Sequence, residues 1–304
     1  MKKYNITFLV LMSLTIVACN KDEDIVIDKP EPEPETALGY RVIEYLPAPG
    51  QFINETVSGF DNISTMEQAC RQAQTRLETN KYVSLGAWGG YIVVKFEKSI
   101  VNIGGYNFAI AGNSFDTSNE PGIVWVMQDK NGNGKPDDTW YELQGSYYGK
   151  EGYQKDYWVT YYRPGKGEDT HWIDSNGDEG YVKWMGSYHN QDFYYPNWVS
   201  EDSYTLTGSR LPSRAEQNPE TGMWGNPPFQ WGYVDNFGED ISILERDGKK
   251  IEANTFRISD AIDKDGNTVA LESIDFIKVQ TAIMGNASIL GENSTEVCGF
   301  FRIN

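Results

Sequence analysis

Ile274-Asp275-Phe276-Ile277-Lys278-Val279-Gln280-Thr281 is the stretch that decides the fold class. Apolar and polar residues alternate along it, and a period of two sends alternate side chains to opposite faces of an extended chain. Working outward, segments rich in β-branched and aromatic residues predict further strands over 40–45, 91–96, 108–111, 123–127 and 157–162. Turn-forming Gly, Asn and Asp separate them, as in Gly86-Ala87-Trp88-Gly89-Gly90. One helix is expected. Ser64-Thr65-Met66-Glu67 reads as a capping box with Ser64 as N-cap, and Met66, Ala69, Cys70, Ala73 and Leu77 follow at helical spacing. Cys70 lies on the apolar face, so both a buried thiol and a pairing with Cys298 are open. Many short strands without a fixed-period repeat predict a mainly β chain: an antiparallel β-sandwich with one short N-terminal helix and long aromatic loops, in one domain over 38–304.

The chain carries 26 Lys and Arg against 44 Asp and Glu, a net charge of −18. Nucleic acid and anionic lipid headgroups need a basic face, so the composition disfavours both as partners. The one long apolar stretch is at the start, over 6–17, behind Lys2 and Lys3. It is short for a membrane span. It leads into Ile16-Val17-Ala18-Cys19. This resembles a bacterial lipoprotein signal peptide over 1–18, which implies lipidation of Cys19. Asn20-Lys21-Asp22-Glu23-Asp24 is similar to the surface-export signal of Bacteroidetes lipoproteins. The alternating Pro and Glu of 28–36 complete an acidic, extended tether over 19–37. The expected address is the outer membrane, lipid-anchored and facing the cell exterior.

The sharpest motif is Asp129-Lys130-Asn131-Gly132-Asn133-Gly134-Lys135-Pro136-Asp137-Asp138. Oxygen-bearing side chains alternate through a tight, glycine-containing turn, and Ca2+ takes six to eight hard oxygen ligands. The ligand set read from this spacing is Asp129, Asn131, Asn133, the Lys135 carbonyl, Asp137 and Asp138. The segment resembles the first nine positions of an EF-hand-type loop, and departs from it where Trp140 stands in place of the bidentate Glu. An Asn-Gly hairpin turn is the competing reading. Weaker echoes occur at 174–179 and 263–267. No Cys/His cluster suits zinc.

Of 41 aromatic residues, 23 fall between Trp140 and Asp240. A sandwich core cannot take all of them, so some rings are expected to face a ligand, and Tyr and Trp suit sugars and other ring-shaped molecules. Trp198, Trp224 and Trp231 lie beside Pro and Gly and are the candidate ligand-binding residues. His171 and His189 are the only histidines, and neither sits in a nucleophile or metalloprotease signature. No catalytic residue is assigned, although acidic pairs are numerous enough to leave a two-carboxylate glycosidase open.

Several phrases together resemble a family of Bacteroidetes-type cell-surface lipoproteins. They are 85–90, 108–113, Glu120-Pro121-Gly122-Ile123-Val124-Trp125-Val126, the 129–138 loop, Trp140-Tyr141-Glu142-Leu143, Trp231-Gly232-Tyr233, 274–281 and 291–297. The stretch from Glu120 to Tyr141 is loosely similar to jelly-roll carbohydrate-binding and discoidin-like modules. Taken with the 129–138 loop and the aromatic belt, the resemblance leads to the expectation of a jelly-roll-like sandwich and a surface-anchored, calcium-stabilised binding lipoprotein for a glycan or glycoconjugate. The alternatives are a nutrient-binding accessory (for a corrinoid such as cobalamin) of an outer-membrane importer, and a glycoside hydrolase.

Overall fold

The strand around Lys278 is the centre of the molecule. In the computed structural model, Ser273–Thr281 lies third in a six-stranded antiparallel sheet. The order is Tyr40–Leu46, Tyr91–Val101, Ser273–Thr281, Gly122–Met127, Trp140–Leu143, Ala261–Ile262. The structure describes residues 36, 38–246, 248–285 and 291–303. The signal segment, Cys19 and the tether, apart from Thr36, fall outside these residues. Glu35–Asn304 groups as one compact unit. No helix among the described residues is long and apolar enough to cross a membrane.

Beside two short ladders of two strands each, two further antiparallel sheets have four strands each. One runs Ser203–Arg210, Gln154–Tyr162, Thr170–Asp174, Glu179–Val182, and the other Ile241–Arg246, Lys249–Phe256, Phe108–Ala111, Gly299–Arg302. The chain is thus mainly β, with a sandwich-like arrangement of sheets and a single α-helix, Met66–Glu78, among the described residues. Inward residues from all three sheets share the main core: Ile92, Val94, Val124, Val126, Ile277 and Val279 meet Phe108, Ile110, Tyr157, Val159, Tyr161, Leu206 and Phe256. Helix residues Ala69, Cys70, Ala73 and Leu77 close it at one end. Cys70 and Cys298 are both free thiols.

Two local expectations shift. The helix N-cap is Thr65, whose side chain accepts from the Gln68 N–H, while Gln68 Oε1 accepts from the Ser64 N–H at 3.0 Å. The box is therefore read one residue later, with Gln68 in the place expected of Glu67. The alternation of 274–281 also breaks. Ile274 packs with Ile277 and Val279, but Phe276 packs on the opposite side with Val93 and Met127. The break coincides with a register slip, where Ile274 pairs with Ile100 but Phe276 pairs with Lys95.

The aromatic loops are pinned by hydroxyls. Tyr45 donates to the Ser84 carbonyl at 2.7 Å, Tyr161 to Trp88 at 2.8 Å, Tyr195 to Glu201 at 2.8 Å and Tyr204 to Pro47 at 2.7 Å. A buried ring fills core volume and its oxygen satisfies a loop carbonyl that water cannot reach. This is why Tyr194 and Tyr195 are both buried, although adjacent residues of a strand would face opposite ways. They sit in an irregular segment rather than in a strand.

Close backbone approach at the 86–90 turn is the most exacting requirement of this core. A Cβ on Gly90 would lie 1.8 Å from the Leu85 carbonyl oxygen and 2.3 Å from the Ala48 N. Gly104, by contrast, has a positive φ of +79° and open space around it. Gly104→Ala should cost about 1 kcal/mol, from backbone conformation alone. Gly90→Ala should cost about 3 kcal/mol or more, because two backbone segments must separate. Denaturant midpoints compared at constant slope would test this, and equal costs at the two sites would contradict the packing argument.

Candidate functional site

The 129–138 loop joins Gly122–Met127 to Trp140–Leu143 at one end of the central sheet. Its side chains turn inward. Asp129 Oδ2 accepts from the Gly134 N–H at 2.8 Å, and Asn133 Oδ1 accepts from the Lys135 N–H at 2.8 Å. Asn131 Nδ2 and Asn133 Nδ2 both donate to the Asp137 carboxylate, at 3.0 and 2.9 Å. Asp138 Oδ2 folds back onto the N–H groups of Lys130 and Asn131. Gly132 and Gly134, with φ of +69° and +72°, provide the left-handed turns. Asp129 Oδ1 is buried and has no hydrogen-bond partner. A half-turn of the two carboxamides would present oxygens in place of NH2 groups, so the donor chemistry of the loop suits a hard cation. The segments 174–179 and 263–267 are turns closed on themselves. Asp174 Oδ1 accepts from the N–H groups of Asn176 and Asp178, and Asp263 Oδ1 from those of Asp265 and Asn267.

The three candidate tryptophans are not brought together as one platform. Trp198 is only 8 % exposed. Its ring packs on Tyr45 and Phe60, and its Nε1 donates to the Tyr45 carbonyl at 3.3 Å. The expectation that it is exposed is corrected: its loop folds inward. Asn54 holds that loop by donating to the Phe193 and Tyr195 carbonyls and accepting from the Asn197 N–H. Trp224 and Trp231 are exposed, at 42 % and 37 %. Trp231 walls a small cleft of about 180 Å3 with Tyr106, Glu239, Asp240, Arg257 and Asp260. Trp224 lies on the short ladder between Glu216–Gln217 and Trp224–Gly225, beside an open groove of about 580 Å3.

Around Trp224 the polar groups are arranged for hydrogen bonding. Gln217 Nε2 holds the Gly222 carbonyl, and Asn218 Oδ1 holds the N–H groups of Glu220 and Thr221. This leaves Gln217 Oε1 and Asn218 Nδ2, with the Asn226 carboxamide, without a protein partner among the described residues while they line the groove. The histidines are structural. His171 packs between Tyr162 and Tyr181 and meets Glu179, while His189 meets Glu55 beside Phe52.

Sequence reading passes over a buried acidic cluster. Glu120, Asp235 and Glu296 bring carboxylate oxygens within 4.8 Å of one another. They come from three remote segments, and no spacing in the sequence relates them. Asp235 accepts from the Asn113 and Glu296 N–H groups, each at 2.9 Å, and Glu120 accepts from the Ser294 N–H at 3.1 Å. Gly112 makes room, since a Cβ there would be 2.6 Å from Asp235 Oδ1. Asp235 itself has φ of +57°, a conformation a non-glycine residue adopts at a cost. Burial raises all three carboxyls above the usual range, and repulsion from Glu120 adds to the rise at Asp235 and Glu296. Nearby Glu292 is pushed up to about 8, again chiefly by burial. Shared protons or a bound cation would each neutralise the cluster. None of the three lines the clefts at Trp224 or Trp231.

This cluster sets a pH dependence. Acids that hold protons more tightly in the folded state stabilise it fully below the unfolded carboxyl range, near ~4. That contribution, together with that of neighbouring Glu292 at about 8, is lost as pH rises through the raised folded-state range of these acids. Melting temperature should therefore fall between pH 4.5 and 8 in the presence of a chelator. Glu296→Gln keeps the shape and removes one acid, so it should flatten the fall by up to about 1.4 kcal/mol per pH unit. An unchanged slope would mean that the cluster does not store protons.

No protein-family model matches the chain, and no curated protein matches it.

Proposed function

We propose that the protein is a surface-anchored, calcium-stabilised lipoprotein that binds a glycan in the groove at Trp224. The observation that carries this reading is the groove itself. An exposed indole stands beside carboxamide donors and acceptors that have no protein partner among the described residues. A sugar ring offers an apolar C–H face and a rim of hydroxyls, and this combination matches both features. The hairpin is held by its own backbone and side-chain bonds, so the polar groups are largely preorganised. The Cys19 signal and acidic tether support the surface address. The Asp129 loop supports the calcium assignment through its orphaned carboxylate oxygen and convergent Asn and Asp side chains. In that role Asp129, Asn131, Asn133, the Lys135 carbonyl, Asp137 and Asp138 would hold the ion. The ion would offset carboxylate repulsion and fix the turn between two central strands.

Trp224→Ala should weaken binding of a neutral oligosaccharide by tenfold or more, about 1.4 kcal/mol, with little change in melting temperature. Glycan-array screening followed by titration would measure this. Full-strength binding by the variant would exclude the groove.

Calcium has a separate readout. Millimolar Ca2+ should raise the melting temperature over that in EDTA by a few degrees, since roughly 2.7 kcal/mol accompanies a hundredfold excess over Kd. Asp129→Ala combined with Asp137→Ala should abolish the shift. Identical midpoints for the native chain in both conditions would reduce the loop to a hairpin turn.

A further inference from the structure

On the face of the central sheet turned away from the main core, five residues stand in one cross-strand row: Glu44, Val93, Lys278, Trp125 and Glu142. Lys278 is at its middle. Its ammonium lies 4.7 Å from the Trp125 ring centroid, 5.3 Å from Trp140 and 5.9 Å from Tyr91. No carboxylate, carbonyl or hydroxyl accepts a hydrogen bond from it among the described residues. Aromatic faces stabilise a cation by about 0.5–2 kcal/mol. That is less than an ammonium loses on leaving water; Glu44 and Glu142 attract it electrostatically, but neither accepts its N–H bonds, so its hydrogen-bonding capacity is unmet by the described residues.

The neighbouring acids are committed elsewhere. Glu142 accepts from Tyr153 Oη at 2.7 Å and from Ser209 Oγ at 2.5 Å, and Glu44 is held by the Tyr91 hydroxyl. Asp263 is wrapped by N–H donors of its own turn, and exposed Asp156 makes no close ion pair among the described residues, interacting only electrostatically with Lys264. A second ammonium, Lys155, hydrogen-bonds among the described residues to neutral oxygens, the Tyr148 hydroxyl and the carbonyls of Asp263 and Lys264, and attracts Glu142 electrostatically. Lys264 itself pairs with Asp265. Lys278 lines two clefts of about 250 Å3 each, one towards Glu142 and Lys155, the other towards Glu44 and Tyr91. Pockets for drug-sized ligands run to roughly 300–1,000 Å3, so each cleft suits a small molecule. Hydroxyls of Thr205, Thr207 and Ser209 edge the two clefts.

We propose that Lys278, caged by Trp125, Trp140 and Tyr91, is a binding site for the carboxylate of a small organic acid, free or carried on a sugar ring. The ligand's carboxylate accepts the ammonium N–H bonds that no protein group accepts, and the hydroxyls of the rim orient it. The site is separate from the Trp224 groove and does not depend on that groove binding a neutral glycan. Burial pushes the Lys278 ammonium down to about 8, while Glu44 and Glu142 act in the opposite direction. The cation is complete below that value and is lost above it, so anion binding must weaken as pH rises through it.

The test is calorimetric titration of the full-length chain with galacturonate, its methyl ester, galactose and acetate. Galacturonate should bind roughly tenfold or more tighter than the ester, the difference expected of a charge-assisted hydrogen bond. Acetate binding on its own would identify a free-acid site, and preference for galacturonate a sugar-acid site; both retain the carboxylate assignment. Lys278→Met should remove the preference for the acid. It should also leave melting temperature unchanged or higher, because no ion pair is broken. Should that variant fail to fold, the native chain still decides. Galacturonate affinity should fall about tenfold per pH unit well above the Lys278 transition, while the ester shows no such loss. Equal binding of acid and ester, no binding of either acid, or full acid binding by Lys278→Met would overturn the proposal. None of these outcomes bears on neutral-glycan binding by Trp224, which the galactose arm and Trp224→Ala read separately.

Discussion

The register slip opposite Asp275 is the constraint from which the rest of the central sheet follows. Up to Ile274 the strand pairs in one register with Tyr91–Val101, and from Phe276 onwards in another. Beyond the slip, Ile277 and Val279 face the main core, while Phe276 and Lys278 face away. Asp275 fixes the irregular point with its side chain. Its Oδ1 accepts from Ser99 Oγ at 2.5 Å, and its Oδ2 accepts from the Asp129 N–H at 2.7 Å. One carboxylate thus ties together two strands and the first residue of the proposed calcium loop. The shift of three residues along Tyr91–Val101 is odd, so it reverses which side chains of Ser273–Thr281 face the main core, and Asp275 at that point also tethers the loop.

Polar burial is the second organising theme. Tyrosine hydroxyls bridge core and loops, Gln280 Nε2 spans from Gly89 to Thr207 at 2.8 and 2.9 Å, and Asn54 pins the segment around Trp198. Such bonds each add only about 1 kcal/mol net, yet leaving one partner unmade costs more than that. The loops are therefore defined by specific remote acceptors rather than by their own propensity. The Glu120–Asp235–Glu296 cluster belongs to the same network. It is satisfied by N–H donors but is surplus in negative charge, and this makes stability responsive to pH or to a cation.

The two proposed ligand sites differ in physical type. The Trp224 groove is wide, open and built on a hairpin, and it suits a neutral, hydroxyl-rich ligand. The Lys278 clefts are small and set into the sheet face around a cation whose N–H groups have no acceptor among the described residues. In a chain of net charge −18, an ammonium whose N–H groups find no acceptor among the described residues is a local exception, and its unmet donors rather than net charge would select a bound carboxylate.

Much of the architecture was legible in the amino-acid sequence because it rests on short-range pattern. The strands around residues 40–45, 91–96, 108–111, 123–127, 157–162 and 274–281 all exist, several of them longer than their apolar runs. The helix forms with its cap one residue later than Ser64, since Thr65 and Gln68 complete the same hydrogen-bond logic. The convergence of Asp129, Asn131, Asn133 and Asp137 follows from alternation within one turn, which is equally local. The burial of Trp198 was decided only by tertiary structure, because Asn54 and Tyr45, which hold it, are about 150 residues away in the chain. The same is true of Glu120, Asp235 and Glu296, and of the row from Glu44 to Glu142 across Lys278. Periodicity states which face of a strand a residue occupies; it does not state which strand lies alongside, and these clusters exist only once five strands have found their neighbours and registers.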